Sequence, residues 1–197
     1  MSSDIVVAIA PEAADVPRNR RQEETFRKVL HAGLEMLRET SYADLTVRAV
    51  AARAKVAPAT AYTYFSSKNH LIAEVYLDLI RQAPFFTDVN DSQLDRVQQA
   101  LRSLALVIAD EPEVAVACTT AVLSNDAGVP RVRDRIGAEI HKRIKSALGP
   151  DADPQIVSAL EMTYYGALVH AGSGTLTYHQ VADRMAYVVG LILREES

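Results

Sequence analysis

The sequence has a single cysteine, Cys118, no tryptophan, and no glycine between Gly33 and Gly128. One cysteine excludes an intrachain disulfide and any cysteine-based metal motif, so we expect Cys118 to be a small buried apolar residue. The glycine-free stretch leaves few positions for hairpin turns, and it is rich in Ala, Leu, Arg and Glu, which favour helices. The chain is therefore predicted to be all-α.

The sequence also lacks an apolar run of about twenty residues, the length that a membrane-spanning helix needs. The mildly apolar stretch at residues 5–10 follows Asp4 without a basic leader, which does not fit a signal peptide. Residues 1–17 show no periodicity and are predicted to form a disordered arm. We expect a cytoplasmic protein.

Charge is unevenly distributed along the chain. The formal net charge is −4, but residues 18–70 carry ten Lys and Arg against five Asp and Glu. The remainder carries eleven against twenty. This segregation is typical of a basic module joined to an acidic partner domain. It suggests one domain at residues 18–70 and a second at 71–197.

Apolar periodicity and helix-start residues predict about nine helices, three of them short. The first helix carries one apolar face with helical spacing, formed by Phe26, Val29, Leu30, Gly33, Leu34 and Leu37. Capping residues and prolines mark most of the later helix starts. The expected starts are Thr46, Pro58, Ser66 or Ser67, Leu94, Pro112, Pro130, Pro154 and Thr177.

The segment 46–68 has the pattern of two short helices separated by a tight turn, which is a helix-turn-helix. Ala51 is small where the two helices must cross closely, and Val56 is apolar just past the turn. Phe65 ends the second helix on the core side. Hydroxyl and ammonium groups, which bind phosphate oxygens, occupy the exposed positions. These positions are Thr60, Tyr62, Tyr64 and Lys68.

This segment resembles the DNA-binding domain of the TetR family of transcriptional regulators. The resemblance rests on the Thr46 cap and on the pattern Thr-x-Tyr-x-Tyr-Phe-x-Ser-Lys at residues 60–68, and it extends over about residues 21–81. The turn position where the family usually has Gly holds Lys55. That residue must adopt a left-handed or nearly left-handed backbone, or the turn must be longer or reshaped.

The resemblance implies roles in DNA binding for eight residues. Thr46 would cap the second helix and touch a phosphate, and Arg48 would reach a base edge or the DNA backbone. The alternative for Arg48 is a solvated surface arginine. The small residues Ala57, Pro58 and Thr60 would enter the major groove, reading thymine methyls and groove shape.

Three further residues of this segment resemble phosphate anchors, namely Tyr62, Tyr64 and Lys68. For either tyrosine the alternative is core packing with the hydroxyl at the surface, and this alternative is stronger for Tyr64.

The TetR resemblance implies a helical ligand-binding and dimerisation domain in residues 71–197. The segment 158–172 is apolar around much of its circumference, so it is expected to be buried on more than one side. One side would face a ligand cavity and another a second helix in a homodimer formed by the last two helices. Burial inside a monomer core is the alternative.

A ligand cavity in this domain is expected to be mostly apolar with a few polar points. For each candidate lining residue, the alternative is core packing without contact to a ligand. The candidates by position are Tyr76, Leu101, Cys118, Thr119, Met162, Tyr165 and His170. Few aromatic residues and abundant Val, Leu and Ala favour a lipid-like, acyl or polycyclic effector. No cofactor and no metal site are expected.

The sequence thus predicts a DNA-binding repressor that a small apolar effector releases from a palindromic operator. Two alternatives belong to other functional classes. The first is a helical dimer that binds small molecules or proteins without binding DNA. The second is a helical enzyme using Cys118 or a histidine, although the chain has no nucleophile elbow, phosphate loop or HExxH motif.

Overall fold

The computed structural model describes residues 19–85, 88 and 90–194, and the arm expected at residues 1–17 lies outside them. These described residues form nine α-helices and no strand, as the sequence predicts. The helices are α1 Arg20–Glu39, α2 Val47–Arg53, α3 Pro58–Tyr64, α4 Lys68–Gln82, α5 Gln93–Leu106, α6 Pro112–Leu123, α7 Val129–Leu148, α8 Pro154–Gly172 and α9 Tyr178–Arg194.

Side-chain caps begin most of these helices where the sequence predicts them. The Thr46 hydroxyl accepts the amide of Ala49 at 3.1 Å, and Ser67, one of the two predicted candidates, caps α4. Thr177 accepts the amide of Gln180 at 3.1 Å before α9. The cap of α1 is Asn19, which the sequence reading missed. Each cap satisfies an amide that has no partner within the first helical turn.

The turn between α2 and α3 is closed by a left-handed residue at Lys55, whose φ is +55°. The amide of Lys55 donates to the carbonyl of Ala52 at 3.1 Å, and the amide of Val56 donates to Ala51 at 2.9 Å. This pair of bonds is the Schellman arrangement that ends many helices, usually with glycine in the left-handed position. The turn is therefore tight with Lys55 in the left-handed position, and it is not lengthened.

The N-terminal helices pack around a small aromatic core. The rings of Phe26 and Phe65 stack with centroids 5.0 Å apart, and the edge of Tyr64 meets Phe26 at 6.1 Å. Ala61, on the inner face of α3, is fully buried. Helix α3 is thus fixed to α1 from behind, which leaves its opposite face in solvent.

Helix α4 belongs to both halves of the chain. It packs against α1 on the N-terminal side and against α6 and α7 on the other. Its residues 71–77 are all buried, so no face of this segment reaches solvent. At its end, the buried Arg143 of α7 donates to the carbonyls of Ile80 at 2.5 Å and Ala83 at 3.2 Å. The Ile80 carbonyl also accepts the amide of Ala83, so the guanidinium adds a second bond there and gives the Ala83 carbonyl, just past the helix end, a partner on α7.

The remaining helices form a bundle in which α9 packs against both α5 and α8. Small residues bring α6 and α8 close together: a Cβ placed on Gly172 would lie 2.4 Å from the Thr119 side chain. Within the described part of the chain, no helix combines the length and the hydropathy that crossing a bilayer requires.

Candidate nucleic-acid interface and ligand-binding core

The recognition helix α3 presents its small and hydroxyl-bearing residues to solvent. Ala57, Pro58 and Thr60 are exposed, and 52% of the Tyr62 surface is accessible. Ala61 and Phe65 on the opposite face are fully buried. A rigid helix with one free face of this kind has the shape that enters a major groove, and small side chains allow the helix to approach the base edges.

Two candidates at the start of α2 lie beside this face. Thr46 is exposed and its hydroxyl accepts one amide hydrogen bond as a cap, so its O–H remains able to donate to a phosphate. Arg48 is exposed on the first turn of α2. The other arginine of α2, Arg53, is instead held by Glu39 and Glu35 of α1. Arg48 therefore has the freedom that a DNA contact needs.

Tyr64 and Lys68 make more contacts within the protein than the other DNA-binding candidates do. Tyr64 is half-buried against Phe26, which agrees with the core-packing alternative. The Lys68 ammonium donates to the carbonyl of Tyr42 at 2.7 Å and lies 4.1 Å from the centre of its ring. Lys68 thus ties the loop before α2 to the start of α4. Its role as a phosphate anchor stays a prediction.

A set of hydrogen bonds joins the α3–α4 turn to the loop before α7. The Asn69 amide donates to Ser124 Oγ at 3.1 Å and to Asp126 at 3.0 Å, and its carbonyl accepts the hydroxyl of Tyr42 at 2.6 Å. Beside it, the Ser66 hydroxyl donates to the carbonyl of Ala127. The sequence does not reveal these contacts, because their partners are 27 to 61 residues apart.

A second connection between the two halves is buried. Glu74 of α4 forms an ion pair with Arg135 of α7 at 2.5 Å, and His70 lies 3.9 Å from the same carboxylate. Burial alone would raise the pKa of Glu74, but the interactions with His70 and Arg135 outweigh it and lower the pKa below its usual value. Glu74 is therefore held in its charged form.

A cluster of hydroxyl groups lies in the otherwise apolar interior of the C-terminal half. The hydroxyl oxygens of Tyr76 on α4 and Tyr164 on α8 are 3.1 Å apart. Thr119 on α6 lies 3.4 Å from the hydroxyl of Tyr178 at the start of α9. Burial and the neighbouring Tyr164 raise the pKa of Tyr76. Cys118, which is fully buried nearby, adds a smaller increase to that pKa. The cluster thus joins four helices.

Four predicted lining residues point into this interior, namely Tyr76, Leu101, Cys118 and, in part, Thr119. Tyr164, which is fully buried, completes the cluster but was not among the sequence candidates. The sequence predicts its neighbour Tyr165 instead. Periodicity alone cannot decide between them, because α8 is apolar on several sides.

Burial also determines the chemistry of Cys118. Removal from water raises the pKa of this thiol well above its usual range, with a smaller contribution from Glu111. The thiol is therefore uncharged at neutral pH and is closed off from solvent. Among the described residues, no group of His, Cys, Asp and Glu side chains gathers in a way that would hold a metal ion.

Three further predicted lining residues, Met162, Tyr165 and His170, are exposed, although the ring of Tyr165 meets the ring of Tyr164 edge-on with centroids 5.8 Å apart, and their role at a ligand site stays a prediction. They lie on the outer side of α8, where Met162 is 72% exposed and His170 is also exposed. Apolar side chains of the same two terminal helices are exposed with them. These are Val169, Tyr187 and Leu191. We call this set the α8–α9 face.

An open groove of about 570 Å³ lies between the end of α4 and α5. Its apolar walls include Leu79, Ala83 and Leu106, and polar groups of Gln99 and Arg102 stand at its edge. Arg102 also pairs with Asp183 of α9 at 2.7 Å. The volume is in the range of small-molecule sites.

Comparisons with known proteins agree with this architecture. Residues 29–75 match the family model described as bacterial regulatory proteins, tetR family. Uncharacterized HTH-type transcriptional regulators from Mycobacterium bovis and Mycobacterium tuberculosis are 67% identical over 201 residues, covering 98% of this chain and 94% of theirs. The HTH-type transcriptional repressor KstR from Rhodococcus jostii is 26% identical over 209 residues, covering 100% of this chain and 95% of its own.

Solved structures share the fold. A TetR transcriptional regulator from Rhodococcus sp. RHA1 superposes with a TM-score of 0.76 at 22% identity, covering 89% of this chain and 98% of that one. Thermus thermophilus FadR, a TetR-family repressor in complex with lauroyl-CoA, gives a TM-score of 0.63 at 14% identity, covering 83% and 92%. With a helix-turn-helix at its N-terminus and close relatives along almost its whole length, this chain belongs to the TetR family and is a DNA-binding transcriptional regulator.

Proposed function

We propose that the protein is a homodimeric repressor that binds a palindromic operator and is released from it by a small apolar effector. The observation that carries the DNA-binding part is the free face of α3, which the buried Ala61 and Phe65 hold rigidly from behind. In this proposal Ala57, Pro58 and Thr60 enter the major groove. Two such helices in a symmetric dimer would occupy successive major grooves about 34–36 Å apart.

The phosphate and base contacts follow from the exposed polar groups. Arg48 and Tyr62 are the principal candidates, because both are exposed and reach beyond the helix surface. The Thr46 hydroxyl would donate a hydrogen bond to a phosphate. Tyr64 and Lys68 would contact phosphates from the edge of this surface. Cationic and hydroxyl contacts to phosphate set the position of the protein, and a bidentate arginine adds base specificity.

The α8–α9 face supports dimerisation. Met162, Val169 and Tyr187 are each more than half exposed although they are large and apolar. They lie on two helices that pack side by side, so they form one surface. Exposed apolar patches of this kind mark sites of association, and a twofold axis through the face would pair α8 and α9 with their copies.

The effector is proposed to be a molecule with a long apolar body, of the acyl type. The C-terminal interior is lined by apolar side chains and hydroxyls, and the groove beside α4 is mostly apolar. Thermus thermophilus FadR, which shares the fold, binds lauroyl-CoA. The effector would act by binding one conformation of the dimer better than the other, which changes the spacing of the recognition helices.

A catalytic role has little physical support. The Cys118 thiol is buried and uncharged, and nucleophilic catalysis requires an accessible thiolate. His170 is on the outer side of α8, away from this thiol's buried surroundings. We therefore propose a regulator without enzymatic activity that acts on the chromosome in the cytoplasm.

Binding to the DNA upstream of its own gene tests this function. We expect a specific complex whose affinity falls steeply as salt rises, because lysine and arginine contacts release counterions. Arg48→Ala should weaken it about 5- to 100-fold if the guanidinium contacts a base, and Tyr62→Ala should weaken it less. Lys142→Ala, at an exposed position of α7, is the control and should bind as wild type does. Folded Arg48 and Tyr62 variants with wild-type affinity would overturn the assignment.

A further inference from the structure

Lys55, in the turn of the helix-turn-helix, has a backbone conformation that does not suit a lysine. Its φ is +55°, and among the described residues it is the only one other than glycine with a positive φ. A residue with a Cβ is less stable in this conformation than glycine is. Residues held in such conformations are concentrated at functional sites, which indicates that the Lys55 side chain has a function that glycine could not supply.

The Lys55 ammonium is available to a partner outside the chain. Lys55 is exposed, and within the part of the chain that the structure describes its side chain forms no hydrogen bond or ion pair. Arg53, two residues earlier, is instead held by Glu39 and Glu35 of α1. The two cations therefore differ in their use: Arg53 ties α2 to α1, while the charge of Lys55 is directed to the surroundings.

The helix-turn-helix has no acidic residue that would offset this charge. Residues 46–68 contain four Lys and Arg and no Asp or Glu. Of these four cations, Arg48 and Lys55 are the two that lack a side-chain partner among the described residues. They stand at opposite ends of α2, whose seven residues span about 10 Å. The first helix of a helix-turn-helix crosses the DNA backbone, where cations bind phosphates.

Lys55 lies within reach of the DNA backbone when α3 enters the major groove. Ala57, the first residue assigned to the groove, comes two residues after Lys55, which is at most about 7 Å along the chain. The four-carbon stem of a lysine adds about 6 Å of reach. Phosphates line both edges of the major groove, which is about 12 Å wide. The ammonium can therefore meet a phosphate at the edge of the groove that α3 enters.

We propose that Lys55 binds a DNA phosphate beside α3, a contact that glycine at this position could not make. The inference rests on the DNA-binding surface proposed above and adds to it a residue outside the eight candidates. The contact is electrostatic, so it strengthens binding to DNA without reading its sequence. The gain in DNA affinity offsets the loss of stability that a left-handed lysine brings to the turn.

Lys55→Gln tests the proposal, because it removes the charge and keeps the Cβ and most of the side-chain length. A symmetric dimer contains two copies of Lys55, so the variant should lose two phosphate contacts. We expect the slope of log affinity against log salt concentration to become shallower by about 1.8. At moderate salt, affinity should fall about tenfold. The DNA upstream of the gene and an unrelated duplex of equal length should be affected by similar factors.

Two matched variants separate a phosphate contact from other effects. Lys55→Arg keeps a cation at the same position and should retain the wild-type affinity and salt slope. Lys142→Gln, at an exposed position of α7, changes the net charge equally and should bind both DNAs as wild type does. Urea unfolding should give wild type and Lys55→Gln the same stability, because both place a Cβ in the left-handed position.

The possible failures are distinguishable. If Lys55→Gln keeps the wild-type slope, or if Lys55→Arg loses as much affinity as Lys55→Gln, then Lys55 binds no phosphate, while DNA binding by α3 stands. A loss on the upstream DNA with none on the unrelated duplex would indicate a base contact and would overturn the phosphate assignment. If wild type binds neither DNA, the proposed DNA-binding surface fails together with the inference.

Discussion

Glu74 of α4 and Arg135 of α7 form a buried ion pair, with Oε1 and Nη1 2.5 Å apart. Two turns further along α7, Arg143 holds the last carbonyls of α4. These two ties fix α4 and α7 in register. Because α4 begins directly after α3, we expect a movement of α7 to reach the proposed DNA-binding surface as well. We therefore expect α4 and α7 to move as one unit.

Removing one partner of the Glu74–Arg135 pair should destabilise the protein strongly. Arg135→Met leaves a buried carboxylate without its main partner, and we expect the free energy of unfolding to fall by about 3 kcal/mol. The double variant Glu74→Leu with Arg135→Met should be more stable than this single variant, because it leaves no buried charge. Urea denaturation measures both, with the exposed Arg131→Met as control. A loss below about 1 kcal/mol in the single variant would contradict the account.

The same pair predicts an acid dependence of stability. The folded-state pKa of Glu74 is below its value in the unfolded chain, which is near 4.5. The contribution of Glu74 to the free energy of unfolding is therefore fully present above about pH 4.5, and it is lost as the pH falls through the folded-state pKa. Urea unfolding between pH 3 and pH 7 should show this loss in wild type. In the Glu74→Leu, Arg135→Met double variant this part of the acid dependence should disappear.

The left-handed residue of the helix-turn-helix offers a stabilising change. Lys55 has a φ of +55°, which costs a residue with a Cβ more than it costs glycine. Lys55→Gly should raise the free energy of unfolding by about 1 kcal/mol and leave the turn unchanged. Lys55→Ala is the matched control, since it removes the ammonium but keeps the Cβ, and it should bring no gain. Equal stability of the Gly and Ala variants would argue against strain at this position.

The α8–α9 face can be tested by introducing charge. Val169 is 56% exposed and Tyr187 is 70% exposed, so a glutamate at either position is tolerated by the monomer fold. In a dimer it would be buried without a partner, and we expect Val169→Glu and Tyr187→Glu to be monomeric in light scattering and to lose operator affinity. Lys142→Glu, on α7, is the control and should remain dimeric. Dimeric glutamate variants would place the interface elsewhere.

Local features were the part of this molecule that the sequence could predict. Thr46, Ser67 and Thr177 cap helices through contacts within three residues, so their pattern is visible without a structure. The left-handed turn at Lys55 was likewise expected from the position where the TetR family usually has glycine. The caps depend on residues that are close in the sequence. The left-handed turn at Lys55 lies within the segment, about residues 21–81, that the TetR resemblance covers.

Long-range features were beyond the sequence. Lys68 looks like a phosphate anchor by position, yet its ammonium donates to Tyr42, 26 residues earlier. Tyr164 and Tyr165 are neighbours on a helix that is apolar on several sides, and only the packing of α8 decides which one faces the interior. The Glu74–Arg135 pair joins residues 61 positions apart, which no local pattern reveals.

The central claim is that a symmetric dimer reads two operator half-sites with its two recognition helices. Fluorescence anisotropy with the operator found upstream of the gene, and with a version in which five base pairs are inserted between the half-sites, tests it most directly. The insertion turns one half-site by about half a helical turn, away from the second α3. We predict that affinity falls at least about tenfold, to the level of a single half-site. Equal affinity for the two operators would contradict the account.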